Sequence, residues 1–298
     1  MKKIEFGILF LSSVILLFLV SGCARPVGPL APVPVPANTP TPTPTLIPPT
    51  PTPTNSFPGW DITNPGSSGA SLFTGTYNYQ YVHIHSGSGL FLEGPVTINV
   101  VQYFTLDSGA TITPYGHNTG TGQPPAASLG GGGHGGAGGG DSAGNSGGPV
   151  NDNPLNPVYD GSSGGSGTSS FGGGNGGGFL RVNVLNGSVT LDGVVAAAGL
   201  ANSVYSNPSA TYGPGGGSGG SIVIQADTIQ GDGFLDASGG PGAFNALCTV
   251  WGGGGGGGII LLDYHTADNF TGTYSVAGGS ATSPAQPGLT GAFNLSTY

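Results

Sequence analysis

The sequence predicts an all-β fold, most simply a parallel β-helix or β-solenoid carrying glycine-rich segments, and three observations predict it. First, YQYVHIH at 79–85 and PVTINVVQYFTL at 95–106 alternate apolar and polar residues with the period of two expected of strands. Second, beyond residue 22 no stretch sustains a helical period, and glycine and asparagine recur too often for helices of ordinary length. Third, aliphatic strands follow glycine runs at a nearly regular interval. GGGFLRVNVL, GGSIVIQAD and GGGIILLDY begin their apolar runs at Phe179, Ile222 and Ile259, spaced by 43 and 37 residues.

A companion element recurs in VTLDGVVAAAG, IQGDGFLDASGG and FTGTYSVAGG, from Val189, Ile229 and Phe270, spaced by 40 and 41 residues. FTLDSGATITPYG, from Phe104, lies 85 residues before Val189, close to two such periods. A repeat of two strands cannot bury its own apolar face, and stacking successive turns solves that. In such a stack Val182, Val184, Ile222, Ile224, Ile229, Ile260 and Leu262 form internal aliphatic ladders, while the alternates Gln225, Asp227 and Asp263 meet water. A β-sandwich is the alternative architecture, suited to the length and the many turns, but it supplies no reason for the period.

Taken in order along the chain, the first element is an address. Lys2 and Lys3 precede an apolar run from Ile8 to Val20, as in a signal peptide. Val20-Ser21-Gly22-Cys23 follows, and it resembles the lipobox of bacterial lipoproteins. That resemblance implies cleavage before Cys23 and lipidation of its thiol and amine. More than one acyl chain would give durable anchoring at the cell envelope. Ala24 stands where an inner-membrane retention aspartate would otherwise sit, which points to the outer membrane or the cell surface. Residues 23–55 are the second element, a proline- and threonine-rich stalk, PVGPLAPVPVPANTPTPTPTLIPPTPTPT from Pro26 to Thr54. Proline at this density enforces polyproline II, a semi-rigid spacer on the order of 90 Å long. Its threonines suit O-glycans by composition. The third element, 56–298, is the glycine-rich β-solenoid domain.

The chain has 62 glycines and a formal net charge of −9. Removal of residues 1–22 leaves only Arg25 and Arg181 against twelve acids. So few cations cannot neutralise a run of phosphates, which excludes nucleic acid as a partner. With Cys23 lipidated, Cys248 has no partner in the chain for a disulfide and reads as a small buried hydrophobe.

The glycine runs admit two packed readings. One is close backbone approach inside a solenoid, where a Cβ would clash. The other is polyglycine II helices lying side by side and bonding to their neighbours, with about three residues per turn. LGGGGHGGAGGG (129–140), FGGGNGGGF (171–179), GPGGGSGG (213–220) and WGGGGGGG (251–258) resemble the glycine-rich receptor-binding adhesins of some bacteriophage tails. The resemblance implies a packed polyglycine sandwich carrying variable loops. Because 251–258 stands in phase with the repeat, residues 252–258 are expected to be ordered, with backbone alongside. GSSGGSGTSS at 161–170, with no such phase, reads as a flexible linker.

Candidate sites are sparse. The loops at 114–128, 141–160, 200–212, 241–251 and 280–288 are rich in Tyr, Asn, Ser and Gly, residues that give contact area at low entropic cost. Tyr115, Tyr159, Tyr205, Tyr212 and Trp251 are the ligand-binding candidates. His83 and His85 share one strand face and could both reach a metal ion, but two ligands do not make a site. Asp141, Asp160 and 151-NDN-153 offer hard oxygen ligands, yet the calcium nonapeptide of β-rolls is absent, so no Ca2+ site or other cofactor is indicated. Asp192, Asp232 and Asp236 could furnish a hydrolytic carboxylate pair, but Asp192-Gly193 and Asp232-Gly233 occupy equivalent repeat positions, as turn residues would. A lyase would need a basic residue, and the domain holds only Arg181. The expectation is a lipid-anchored structural or adhesive protein that presents loops to a glycan or another envelope protein without catalysis. A carbohydrate-active β-helix enzyme is the first alternative. An ice- or mineral-interface protein with an exposed planar polyglycine face is the second.

Overall fold

A computed structural model describes residues 58–63, 70–116, 121–124, 128–166, 172–201, 212–244 and 249–298. The signal segment, Cys23, the stalk, Tyr205 and Cys248 lie outside the described residues. Among those described there is no helix. Eleven strands run in chain order: β1 (Trp60–Ile62), β2 (Ala70–Ile84), β3 (Gly89–Leu106), β4 (Thr111–Tyr115), β5 (Phe179–Leu191), β6 (Val194–Ala196), β7 (Ser221–Gly231), β8 (Phe234–Asp236), β9 (Ile259–Phe270), β10 (Thr273–Ser275) and β11 (Ala292–Thr297). They form one curled sheet in the order β10-β8-β6-β4-β3-β5-β7-β9-β11, with β2 on β3 and β1 on β2. Every pairing between these strands is parallel. The antiparallel sheets of an immunoglobulin-type sandwich are therefore not what this sequence builds.

Parallel in-register stacking turns the period-two pattern into columns. Ile98, Val182, Ile224 and Leu262 are successive register partners, and all are buried. Val96, Leu180, Ile222 and Ile260 make the adjoining column, and Phe104, Val189 and Ile229 another. These residues belong to one continuous core. Each buried aliphatic side chain contributes roughly 1.5–3 kcal/mol. Partly buried aromatics close the ends of the columns: Trp60, Tyr77 and Tyr79 beside β3, with Trp60 stacked on Tyr79 at 4.9 Å, and Tyr264, Phe270 and Phe293 at the β9–β11 side. The long strands break register in one shared zone, at Tyr79/Tyr81, Val100/Tyr103, Val184/Ser188 and Ala226/Thr228. Extra residues there bulge out and bend the sheet. Asn186 takes φ 58°, which asparagine tolerates better than most residues, and Gly187 follows it.

The register corrects the sequence alignment in three places. Phe179 pairs with Ser221, and Ser221 with Ile259, so Ile222 aligns with Leu180 and Ile260 instead of with Phe179. Phe270 pairs with Gly231, two positions beyond Ile229. Most consequentially, Phe104 pairs directly with Val189, so the 85-residue interval spans one turn, not two. The intervening 116–178 contributes no strand among its described residues, only glycine-rich segments and loops.

Those glycine segments are ordered and packed. In 252–258, Gly252, Gly255 and Gly258 donate to the carbonyls of Ala243, Gly240 and Ala237, all on one neighbouring segment. Gly253 and Gly256 donate to Leu129 and Gly132, and Gly254 and Gly257 to Gln286 and Leu289. Every third residue therefore addresses the same neighbour, which is the threefold screw of the polyglycine II arrangement. Gly213, Gly216 and Gly219 likewise donate to Val250, Gly253 and Gly256. A Cβ at any of 252–258 would overlap a neighbouring backbone carbonyl, that of Gly217 in the case of Gly255. The linker expectation for 161–170 is overturned over its described part. Gly161 donates to Gly177, Gly164 to Gly174 and Gly165 to Gly130, and Ser162 is fully buried. Serine there is compatible with packing because its Oγ accepts the Gly122 N–H at 3.0 Å.

Candidate functional site

Residues following the inward column on each strand point outward, and one such row is polar throughout. Asn78, Asn99, Asn183, Gln225, Asp263 and Ser296 are successive register partners from β2 to β11. Asn183 Nδ2 donates to Asn99 Oδ1 at 2.9 Å, and Asn99 Nδ2 to Asn78 Oδ1 at 3.0 Å. Gln225 Nε2 and Ser296 Oγ both donate to Asp263, at 3.4 and 2.8 Å. The Asn183 Oδ1 acceptor is buried and has no hydrogen-bond partner among the described residues. Alongside lie Val100 and the bulged Val101 and Leu185, and together they line a groove of about 280 Å³. Leu185 is 63% exposed, a large apolar side chain held out beside a line of amides.

The same outward face nearer the strand starts is covered. Phe179, Val223 and Leu261 form a small buried cluster outside the sheet. The loop after Pro149 binds this part of the sheet: Arg181 Nη2 donates to Asn156 Oδ1 at 3.2 Å and to the Pro157 carbonyl at 2.9 Å. Asn294 Nδ2 donates to the Pro154 carbonyl at 2.8 Å and Ser221 Oγ to that of Tyr159 at 3.0 Å. Arg181 thus commits Nη2 to this loop, and burial pushes its guanidinium below the ordinary value. His134 is fully buried, with Nε2 2.8 Å from Ser221 Oγ and Nδ1 3.2 Å from the Asn151 amide. Since Ser221 gives its proton to Tyr159, the network assigns the hydrogen of His134 to Nε2, with the Asn151 amide turned to donate to Nδ1. This serine–histidine pair has no exposed surface and its hydroxyl faces a carbonyl, so it cements the loop and is no nucleophile. Burial holds the imidazole below its ordinary pKa, against the pull of Asp152, whose Oδ2 lies 3.9 Å away.

Two of the three acids considered for hydrolysis accept backbone N–H groups. Asp192 Oδ1 accepts the Asp232 N–H at 3.2 Å, and Asp236 Oδ1 that of Ser238 at 2.9 Å. Asp141 is buried and accepts the N–H groups of Leu129, Ala143 and Asn145 and the Asn145 side chain. Burial raises its pKa, but these hydrogen bonds outweigh that and leave it below the ordinary value. No protein family, curated protein or solved structure matches this chain.

The described aromatic candidates are held by separate local contacts. Tyr115 is exposed, stacks on Phe91 at 6.1 Å and lines a cavity of about 170 Å³ with Thr113, Pro114, Asn175 and Leu200. Tyr159 belongs to the covering loop. Tyr212 pairs with Val250, next to Trp251, whose ring meets Phe244 edge-on at 5.1 Å and whose backbone N–H donates to Ser142 Oγ at 2.7 Å. His83 and His85 are brought together, with ring centroids 3.8 Å apart. Two acids that the sequence does not single out join them. Asp107 Oδ1 is 2.8 Å from His83 Nε2, and Asp61 Oδ1 is 3.4 Å from His85 Nε2. The amide row is likewise unmarked in the sequence, although each amide directly follows a column residue: Asn99 after Ile98, Asn183 after Val182 and Gln225 after Ile224.

Proposed function

We propose that the chain is a lipid-anchored surface protein, held at the envelope through Cys23 and the proline–threonine stalk, whose stacked β-solenoid domain binds carbohydrate without turning it over. The observation that carries the reading is the groove along the registered amides of Asn78, Asn99, Asn183 and Gln225 beside Val101 and Leu185. Each amide nitrogen carries a second hydrogen beyond the one used within the row, which suits hydroxyl acceptors, and the aliphatic rim suits the apolar faces of sugar rings. The row repeats at the strand spacing, about 4.8 Å, so a linear chain lying across the strands meets equivalent groups in succession. The glycine segments 213–220 and 252–258 are buried and offer no open planar array, which gives nothing to the interface-binding reading. Asp192 and Asp236 each accept a backbone N–H, as turn acids do, which supports the turn reading of those two positions over the hydrolytic one.

A glycan array probed with the full-length protein tests the proposal. Saturable binding of a linear polysaccharide, lost in Asn99→Ala and weakened in Leu185→Ala, is expected. Retention of binding in both variants, or release of shortened products, refutes it.

A further inference from the structure

We propose that Asp61, His83 and His85 form a binding site for a divalent transition metal ion of the zinc class, with Asp107 as the carboxylate that positions the imidazoles. This site is independent of the amide groove. It lies where β1, β2 and the end of β3 run side by side. Asp61 is the register partner of His83, and Ile62, Ile84 and Leu106 are partners in the adjoining inward column. Asp61, His83, His85 and Asp107 therefore flank that column on the outward face of three neighbouring strands. One ligand atom from each of Asp61, His83 and His85 lies within 4.8 Å of the others. Ligands at about 2.0–2.1 Å from a tetrahedral zinc ion stand about 3.3 Å apart. Closing that difference takes small rotations of side chains that are half-buried or exposed.

The donor chemistry fits. Two imidazoles and a carboxylate with a position left open to solvent suit zinc or copper and do not suit calcium or magnesium, which take oxygen alone. Both residues flanking the set behave as supports. Asp107 reaches His83 Nε2 at 2.8 Å and His85 Nδ1 at 3.6 Å. Tyr81 donates its hydroxyl to Asp61 Oδ2 at 2.8 Å, leaving Oδ1 toward His85. The Asp107–His83 and Tyr81–Asp61 hydrogen bonds are of the outer kind that orients ligands. The two imidazole rings, 3.8 Å apart, are close enough for one ion to take a nitrogen from each. An ion there would also tie β1, only three residues long, to the body of the sheet.

Calorimetric titration of the full-length protein with zinc chloride tests this. One saturable site per chain is expected, abolished in His83→Ala and in His85→Ala and weakened about tenfold in Asp107→Asn. His265→Ala, which removes an exposed histidine paired with Asp227, leaves it intact. His85→Cys keeps the site, and with cobalt in place of zinc it shows a thiolate-to-metal absorption band that the unaltered protein lacks. The cobalt spectrum decides the question even if an alanine variant fails to fold. Absence of saturable binding, binding that survives the double His83→Ala/His85→Ala change, or a cysteine variant with no such band overturns the proposal.

Discussion

Replacing Gly255 by alanine tests whether the glycine segments are a packed lattice. Its N–H donates to Gly240 at 2.9 Å and its carbonyl accepts from Gly279 at 2.7 Å. The added Cβ would overlap the carbonyl of Gly217, whose own groups bond Leu200 at 3.0 Å and Gly240 at 2.7 Å. Relief requires the two backbones to separate by about an ångström in an interior already packed to crystal density. One or two of these four buried hydrogen bonds then fail, at about 1–3 kcal/mol each. Against that, alanine lowers the entropy of the unfolded chain, a gain of about 0.4–1 kcal/mol. The expected net loss is about 1–5 kcal/mol, a large share of the roughly 5–15 kcal/mol by which a domain is stable. Urea unfolding followed by circular dichroism measures it. Gly172→Ala is the control, because a Cβ there meets nothing within 4 Å and the backbone is not left-handed. It is expected to be neutral or slightly stabilising. If Gly255→Ala proves no less stable than Gly172→Ala, the packed-lattice reasoning is wrong.

Other outcomes follow from the same structure. Ile224→Ala empties a fully buried position in the central column and should cost about 2–5 kcal/mol, read in the same urea assay. Because burial holds His134 below its ordinary 6.5, the unfolded chain takes up that proton first on acidification. Its contribution is complete above pH 6.5 and declines below it until the folded-state value is passed, so thermal melting against pH should lose that slope in His134→Gln. Asp141 is also held low, below 3.8, so its contribution is complete above that pH and lost at still lower pH. Asp141→Asn should flatten the acid limb of the same melting curve and lower stability at neutral pH, where the carboxylate's hydrogen bonds are worth most.

The strands and their inward columns are legible because a sheet with one buried face demands period-two alternation of Ile, Val and Leu, which a helix would not produce. Val182, Ile224 and Leu262 all lie where that alternation puts them. Register is less legible. Serine at 221 and glycine at 231 occupy column or flank positions that the eye assigns to an aliphatic residue, so the repeats slide by one or two places. The 116–178 insertion reads as a further turn because distance along a chain carries no mark of whether strands lie between. The metal-type cluster is half visible: two histidines on one strand face declare themselves, whereas Asp61 and Asp107 join them only through parallel register across separate strands. The amide row, with Asn99, Asn183 and Gln225 each after an aliphatic residue, emerges once the inward columns are aligned first. Which neighbour each glycine would bond is not legible at all, since a residue without a side chain leaves no record of its surroundings.

The threefold bonding of 252–258 has a consequence for how such a chain can change. Advance the segment by one screw turn and each N–H again faces the same neighbouring segment, so the interior of the run holds no information about its own position. Phase is set from outside, by Trp251 wedged against Phe244 at one end and Ile259 in the sheet at the other. Lengthening the run by three glycines preserves the direction of every donor and only displaces the anchors along the axis. Adding one glycine turns every later donor by about a third of a revolution toward the wrong neighbour. Tolerated length variation in these runs should therefore come in threes.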